Sequence, residues 1–146
     1  MLPAHPNFLT LACRDVDRMA AFLGALGWPE APGSEPVHRV FQCSNGLVVA
    51  LYAASSYEPH FGPATDGFRG FTLGVNLGSP AAVDEAFAAL QEVDGAELLE
   101  EPFDSPHGFR GFSFRDPEGN IWDVAWKSGS TVSADGDLVW AGSEPE

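Results

Sequence analysis

Two stretches far apart in the chain are written to one pattern. LTLAC from Leu9 lies over FTLGV from Phe71 with a shared Thr-Leu, and FQCSNGLVVAL from Phe41 lies over FRDPEGNIWDV from Phe114 with phenylalanine and glycine in step. An internal repeat of this length implies two copies of one supersecondary unit, each too small to close a core alone. The 146 residues leave room for one domain and too little for two ordinary ones. A single domain over residues 1-146 is therefore expected, with the copies packed together.

The local patterns within each copy agree. Phe8 to Cys13 alternates as a strand, with Leu9, Leu11 and Cys13 on one face and Phe8, Thr10 and Ala12 on the other. Asp15 stands as an N-cap ahead of VDRMAAFLGALG, whose apolar residues recur at helical spacing until Gly27. WPEAPGSEP, broken by prolines, suits only a ragged edge strand or a loop. Strands follow at Val37 to Cys43 and Leu47 to Ala53, joined by a tight turn at Ser44-Asn45-Gly46. The second copy repeats this order. Phe71 to Leu77 is a strand, Ser79-Pro80 opens a helix through AAVDEAFAALQEV, and Gly95 ends it. Further strands are expected at Ala96 to Glu101, Phe109 to Arg115 and Asn120 to Trp126. Past Lys127 the composition turns polar and acidic, so residues 128-146 read as a tail whose Leu138 to Trp140 patch either stays free or docks.

Charge narrows the partners. Twenty-one Asp and Glu against seven Lys and Arg give a formal charge of -14, which repels phosphate backbones and anionic headgroups. Neither nucleic acid nor a membrane surface is expected as a partner. No apolar run reaches the roughly 20 residues of a spanning helix, and MLPAHPNF has no signal-peptide pattern; a cytoplasmic protein is expected. Cys13 and Cys43 lie in strands without ligand spacing and read as buried free thiols.

LTLACRDVDRMAAFLGALGW and FRDPEGNIWDVAW, in this order and at this separation, resemble the vicinal oxygen chelate superfamily of glyoxalase I, extradiol dioxygenases and bleomycin and fosfomycin resistance proteins. The resemblance covers residues 7 to 127. It implies an α+β fold of two tandem βαβββ modules, about 7-54 and 70-127, whose curved mixed sheets form a cup with the helices outside. It also implies four ligand positions for a divalent ion in the metal enzymes, on the first and last strand of each module. Carried over one by one, the last-strand position of module two is Asp123 and its mate is Ala50. The first-strand position of module one is Phe8, and alignment on Thr-Leu places its mate at Gly70. Phenylalanine, alanine and glycine give a metal no donor, and zinc, iron or nickel sites want three or four. The expectation is a protein with no metal and no cofactor.

Strand parity points Trp122, Val124 and Trp126 towards the helices and Ile121, Asp123 and Ala125 into the cup. Asp123 then either orients a ligand hydroxyl or amine, acts as a general base, or is satisfied by a neighbour such as Thr10 or Thr72. Phe8, Ala50, Tyr52 and Gly70 share the expected cup face, which suits a small apolar or aromatic molecule or mere packing. Arg110, in the loop DSPHGFRGF, either binds an anion or neutralises acids such as Asp104. His5, His38, His60 and His107 have no ligand spacing, and only convergence in space, for example of His38 or His107 with Asp123, would make a metal site. Three functions stay open: a metal-free small-molecule binder anchored by Asp123, an enzyme of lyase, isomerase or dioxygenase type, and an interaction domain. A homodimer is the expected assembly.

Overall fold

In the computed structural model, which describes residues 1–143, the chain is α+β and forms two compact units, Met1–Gly67 and a second that begins at Phe68. In the first unit β1 (Phe8–Cys13) leads into α1 (Val16–Ala25), followed by β2 (His38–Gln42), β3 (Val48–Ala53) and α2 (Ala54–Phe61). The sheet order is β1-β3-β2, with β1 parallel and β2 antiparallel to β3. α1 starts where its sequence says it should: the Asp15 carboxylate accepts from Arg18 N at 3.0 Å and satisfies one of the helix's orphan donors. Its apolar face buries Met19, Ala20, Phe22 and Leu23, beside buried Leu11, Cys13, Phe41, Val49 and Leu51 of the strands. The proline-rich stretch forms a ragged edge. Two isolated bridges, Glu30 with Phe41 and Glu35 with His38, tie it to β2, supported by Ala31 N donating to Val40 O.

In the second unit β4 (Leu73–Asn76) leads into α3 (Pro80–Leu90), then β5 (Glu97–Leu98), β6 (Phe103–Asp104), β7 (Phe109–Arg115) and β8 (Ile121–Lys127). The main sheet runs β4-β8-β7-β5, with β6 on β7 and only β4 and β8 parallel. Ser79 caps α3 by accepting from Ala82 N at 3.1 Å, and Pro80 fills the first turn, where its missing N–H costs nothing. Phe87 meets Phe112 edge to face, and Phe114 stacks on Trp122, which fills the space between α3 and the sheet.

The structure departs from the expected elements, or adds to them, in several places, and the strand expected over Ala96 to Glu101 is only Glu97–Leu98, with the unforeseen β6 after it. The strand expected from Phe71 begins only at Leu73. α2 follows β3 without a break, although Pro59 lies inside it and no side chain caps it; packing of Tyr57 edge-on against Tyr52 holds it instead. In the tail, whose residues 144–146 lie outside the described residues, β9 (Thr131–Val132) and β10 (Leu138–Val139) pair as a hairpin, and the Leu138 to Trp140 patch docks, with the Trp140 ring 5.8 Å from that of Phe109.

Candidate functional site around Asp123

The turn before β8 sets the site. Asp116 is buried and accepts four hydrogen bonds, from Glu118 N (2.9 Å), Asn120 N (3.0 Å), Asn120 Nδ2 (2.9 Å) and Trp122 Nε1 (2.9 Å). Gly119 takes the left-handed conformation the turn requires, at φ +84°. With the turn clamped, β8 enters the sheet in one register, and Asp123 falls opposite Ser113 on β7 and Gly74 on β4. Arg69 grips the same turn, donating to Asn120 Oδ1 at 2.7 Å and Glu118 O at 3.2 Å. That contact holds the segment carrying Thr72 beside β8.

Both oxygens of Asp123 are thereby engaged. Ser113 Oγ donates to Oδ1 at 2.6 Å, and Thr72 Oγ1 donates to Oδ2 at 2.7 Å. Trp122 and Val124 are buried on the α3 side while Asp123 is half-buried on the opposite face, as alternation requires. An ionised carboxylate offers about four lone-pair sites, and each hydroxyl that donates keeps its own lone pairs. The cluster is therefore a patch of acceptors, suited to hydroxyl, amine or ammonium donors.

The other expected site residues are distributed differently. Phe8, Thr10, Ala50 and Tyr52 belong to the first unit, where Thr10 pairs with Ala50, Phe8 with Val48, and Tyr52 with both Ala12 and His38. Phe8 is 55% exposed and Ala50 fully buried, so Ala50 offers no surface to a ligand. The Tyr52 ring packs 4.7 Å from His38 and 5.2 Å from Tyr57. Arg110 does not face Asp123. It lies three residues from Ser113, on the α3 side of β7, where Asp84 and Asp104 bind its guanidinium at 2.8 and 3.2 Å. These carboxylates, Asp84 foremost, strengthen its hold on its proton. The neutralising reading of Arg110 therefore fits its geometry and the anion-binding one does not. His107 lends its carbonyl to Lys127.

Gly70 also needs correcting. Phe8 stands seven residues before the Asp15 cap, and seven before the Ser79 cap is Thr72. The parallel registers agree, since Ala50 pairs with Thr10 and its mate Asp123 with Gly74, the same distance from the cap. Thr72 thus occupies the place of Phe8. Gly70 lies outside β4 at φ +88°. Aligning on Thr-Leu slips the copies by two residues, which preserves the face and so escapes any test by alternation. Ser113 and Arg69 were missed. The only signal for Ser113 was a hydroxyl on the Asp123 face of the neighbouring strand.

A family model described as the Glyoxalase/Bleomycin resistance protein/Dioxygenase superfamily matches residues 5–124, across both repeats. The chain belongs to this superfamily. The chain is similar in structure to a glyoxalase-related enzyme from Fulvimarina pelagi, with 26% identity, a TM-score of 0.83, and coverage of 96% of this chain and 100% of that one. A glyoxalase/bleomycin resistance protein/dioxygenase from Nocardioides shares the fold at 22% identity and TM-score 0.72, covering 91% and 90%. Lactoylglutathione lyase from Agrobacterium tumefaciens does so at 19% and 0.68, covering 86% and 95%. No curated protein matches the chain. Set against the metal enzymes of the superfamily, the second unit offers Asp123 and the neutral hydroxyl of Thr72, and the first offers Phe8 and Ala50. Among the described residues no three His, Cys, Asp or Glu side chains are grouped to hold a metal ion.

Proposed function

We propose that this superfamily member binds a small organic molecule without a metal, and that Asp123 anchors it through a hydroxyl or amine donor. The observation that carries this reading is the pair of short hydrogen bonds that Ser113 and Thr72 donate to the two Asp123 oxygens. They fix the carboxylate in one orientation, so a ligand meets a group already ordered, and less entropy is lost on binding. The two hydroxyl protons point at Asp123 itself. Neither is left to protonate a substrate, which favours binding over proton transfer.

The test is calorimetric titration of a fragment set of aromatic alcohols and amines against the native chain and Asp123→Asn. Binders are expected to weaken at least tenfold, about 1.4 kcal/mol, in the variant. Unchanged affinities would overturn the assignment. Metal content is an independent check: protein re-equilibrated with zinc, nickel, iron and manganese is expected to retain none at stoichiometric level by plasma mass spectrometry. A homodimer remains our proposal for the assembly, to be read from sedimentation equilibrium.

A further inference from the structure

The face that carries Asp123 continues along the sheet. Phe109 and Lys127 are cross-strand partners, four residues along β7 and β8 from Ser113 and Asp123, and the two-residue period puts all four on one side. The hairpin comes down at this end. Trp140 sits 5.8 Å from the Phe109 ring, and the Lys127 ammonium sits 5.0 Å from that ring while donating to His107 O at 2.6 Å. Ser128 N to Gly108 O at 2.9 Å and Ala141 N to Ser130 Oγ at 2.8 Å fasten the hairpin on either side of β9 and β10.

Between Asp123 and these rings the floor is bare. Gly111 and Ala125 face each other there, with Gly74 and Asn76 alongside on β4. A Cβ on Gly111 would lie 2.7 Å from the Val124 carbonyl oxygen, so nothing larger fits without a backbone shift. Four residues of strand span roughly 13 Å. Asn76, next to Ala125, is half-buried, and its side-chain amide has no hydrogen-bond partner among the described residues. No buried side-chain nitrogen or oxygen lacks a partner among the described residues, so this amide is open to water and available to a polar group of a ligand.

We propose that the C-terminal hairpin walls the far end of the Asp123 site, so that the ligand is an arylalkylamine-like molecule whose cationic head meets Asp123 and whose ring seats against Trp140. This rests on the reading of Asp123 as the anchor. Charge sets the direction of binding. Asp123 attracts the head group, while Lys127 repels a cation from the aromatic end and leaves that end to an apolar ring. Allowing for van der Waals contact at each end, the head and ring should be separated by about four to six methylenes.

A series of ω-phenylalkylammonium ions with one to six methylenes, titrated calorimetrically into the full chain, measures this distance directly. Affinity should rise at least tenfold from the shortest member to a maximum between four and six. Trp140→Ala should flatten the series while leaving the dependence on Asp123 intact, and Trp140→Phe should restore the maximum. Near-ultraviolet circular dichroism of each variant shows whether it remains folded. A series that still needs Asp123 but is flat in the native chain, or is unaffected by Trp140→Ala, overturns the hairpin wall alone. A series indifferent to Asp123→Asn overturns both readings.

Discussion

Asp116 and Asp123 stand seven residues apart and do opposite work. Asp116 is buried under four donors, two of them backbone N–H groups. Asp116→Ala leaves several buried donors unsatisfied and should cost about 3 kcal/mol, measured by urea denaturation. Asp123→Ala releases only the exposed Thr72 hydroxyl and the half-buried Ser113 hydroxyl, which can turn to water, and should cost about 1 kcal/mol or less in the same assay. Glu30 offers a pH handle. Arg39, bound to it at 2.8 Å, lowers its carboxyl below the usual glutamate range. The folded value lies below the unfolded one, so this contribution is complete at neutral pH and is lost as acid carries the pH through the folded value. Glu30→Gln should therefore flatten the stability profile below roughly pH 4.3 and leave its slope above that unchanged. At this scale the sequence showed that Asp123 faces away from α3, because alternation is local. It did not show that Ser113 reaches Asp123, or that Arg110 is occupied by Asp84, because both depend on which residues lie opposite across strands and helices.

Helix caps were the most legible elements. Asp15 and Ser79 both accept from the backbone three residues on, as their positions ahead of apolar periodicity imply. Ser79→Ala should destabilise the chain by about 1 kcal/mol in thermal or urea unfolding. α2 was illegible for the converse reason: it lacks a capping side chain, contains Pro59, and exists because Tyr57 finds Tyr52. β7 carries a sharper constraint. Gly111→Val would drive a side chain against Val124 O and the Ala125 Cβ, 2.7 and 3.1 Å from the position of its Cβ. A loss of about 1–3 kcal/mol is expected, read as a lowered unfolding midpoint.

Over the whole molecule the charge of -14 opposes compaction. Raising sodium chloride from about 0.02 to about 0.5 M shortens the Debye length from tens of ångströms to a few, and the unfolding temperature should rise by several degrees. A fall would mean that specific ion pairs such as Arg39 with Asp17 and Glu30 outweigh the general repulsion. The repeat and the DPEGN turn led from sequence alone to the superfamily and to its α+β fold. Strand faces, caps and turns were legible because each depends on neighbours within one turn of helix or two residues of strand. Register was not, since a slip of two residues moves Gly70 into the place of Thr72 without disturbing any local pattern. Tertiary structure decided that Thr72 and Ser113 hold Asp123, that Arg110 serves Asp84, and that Trp140 returns to Phe109. Each of these contacts joins residues distant in the chain, and they form only when the strands and helices have found their partners.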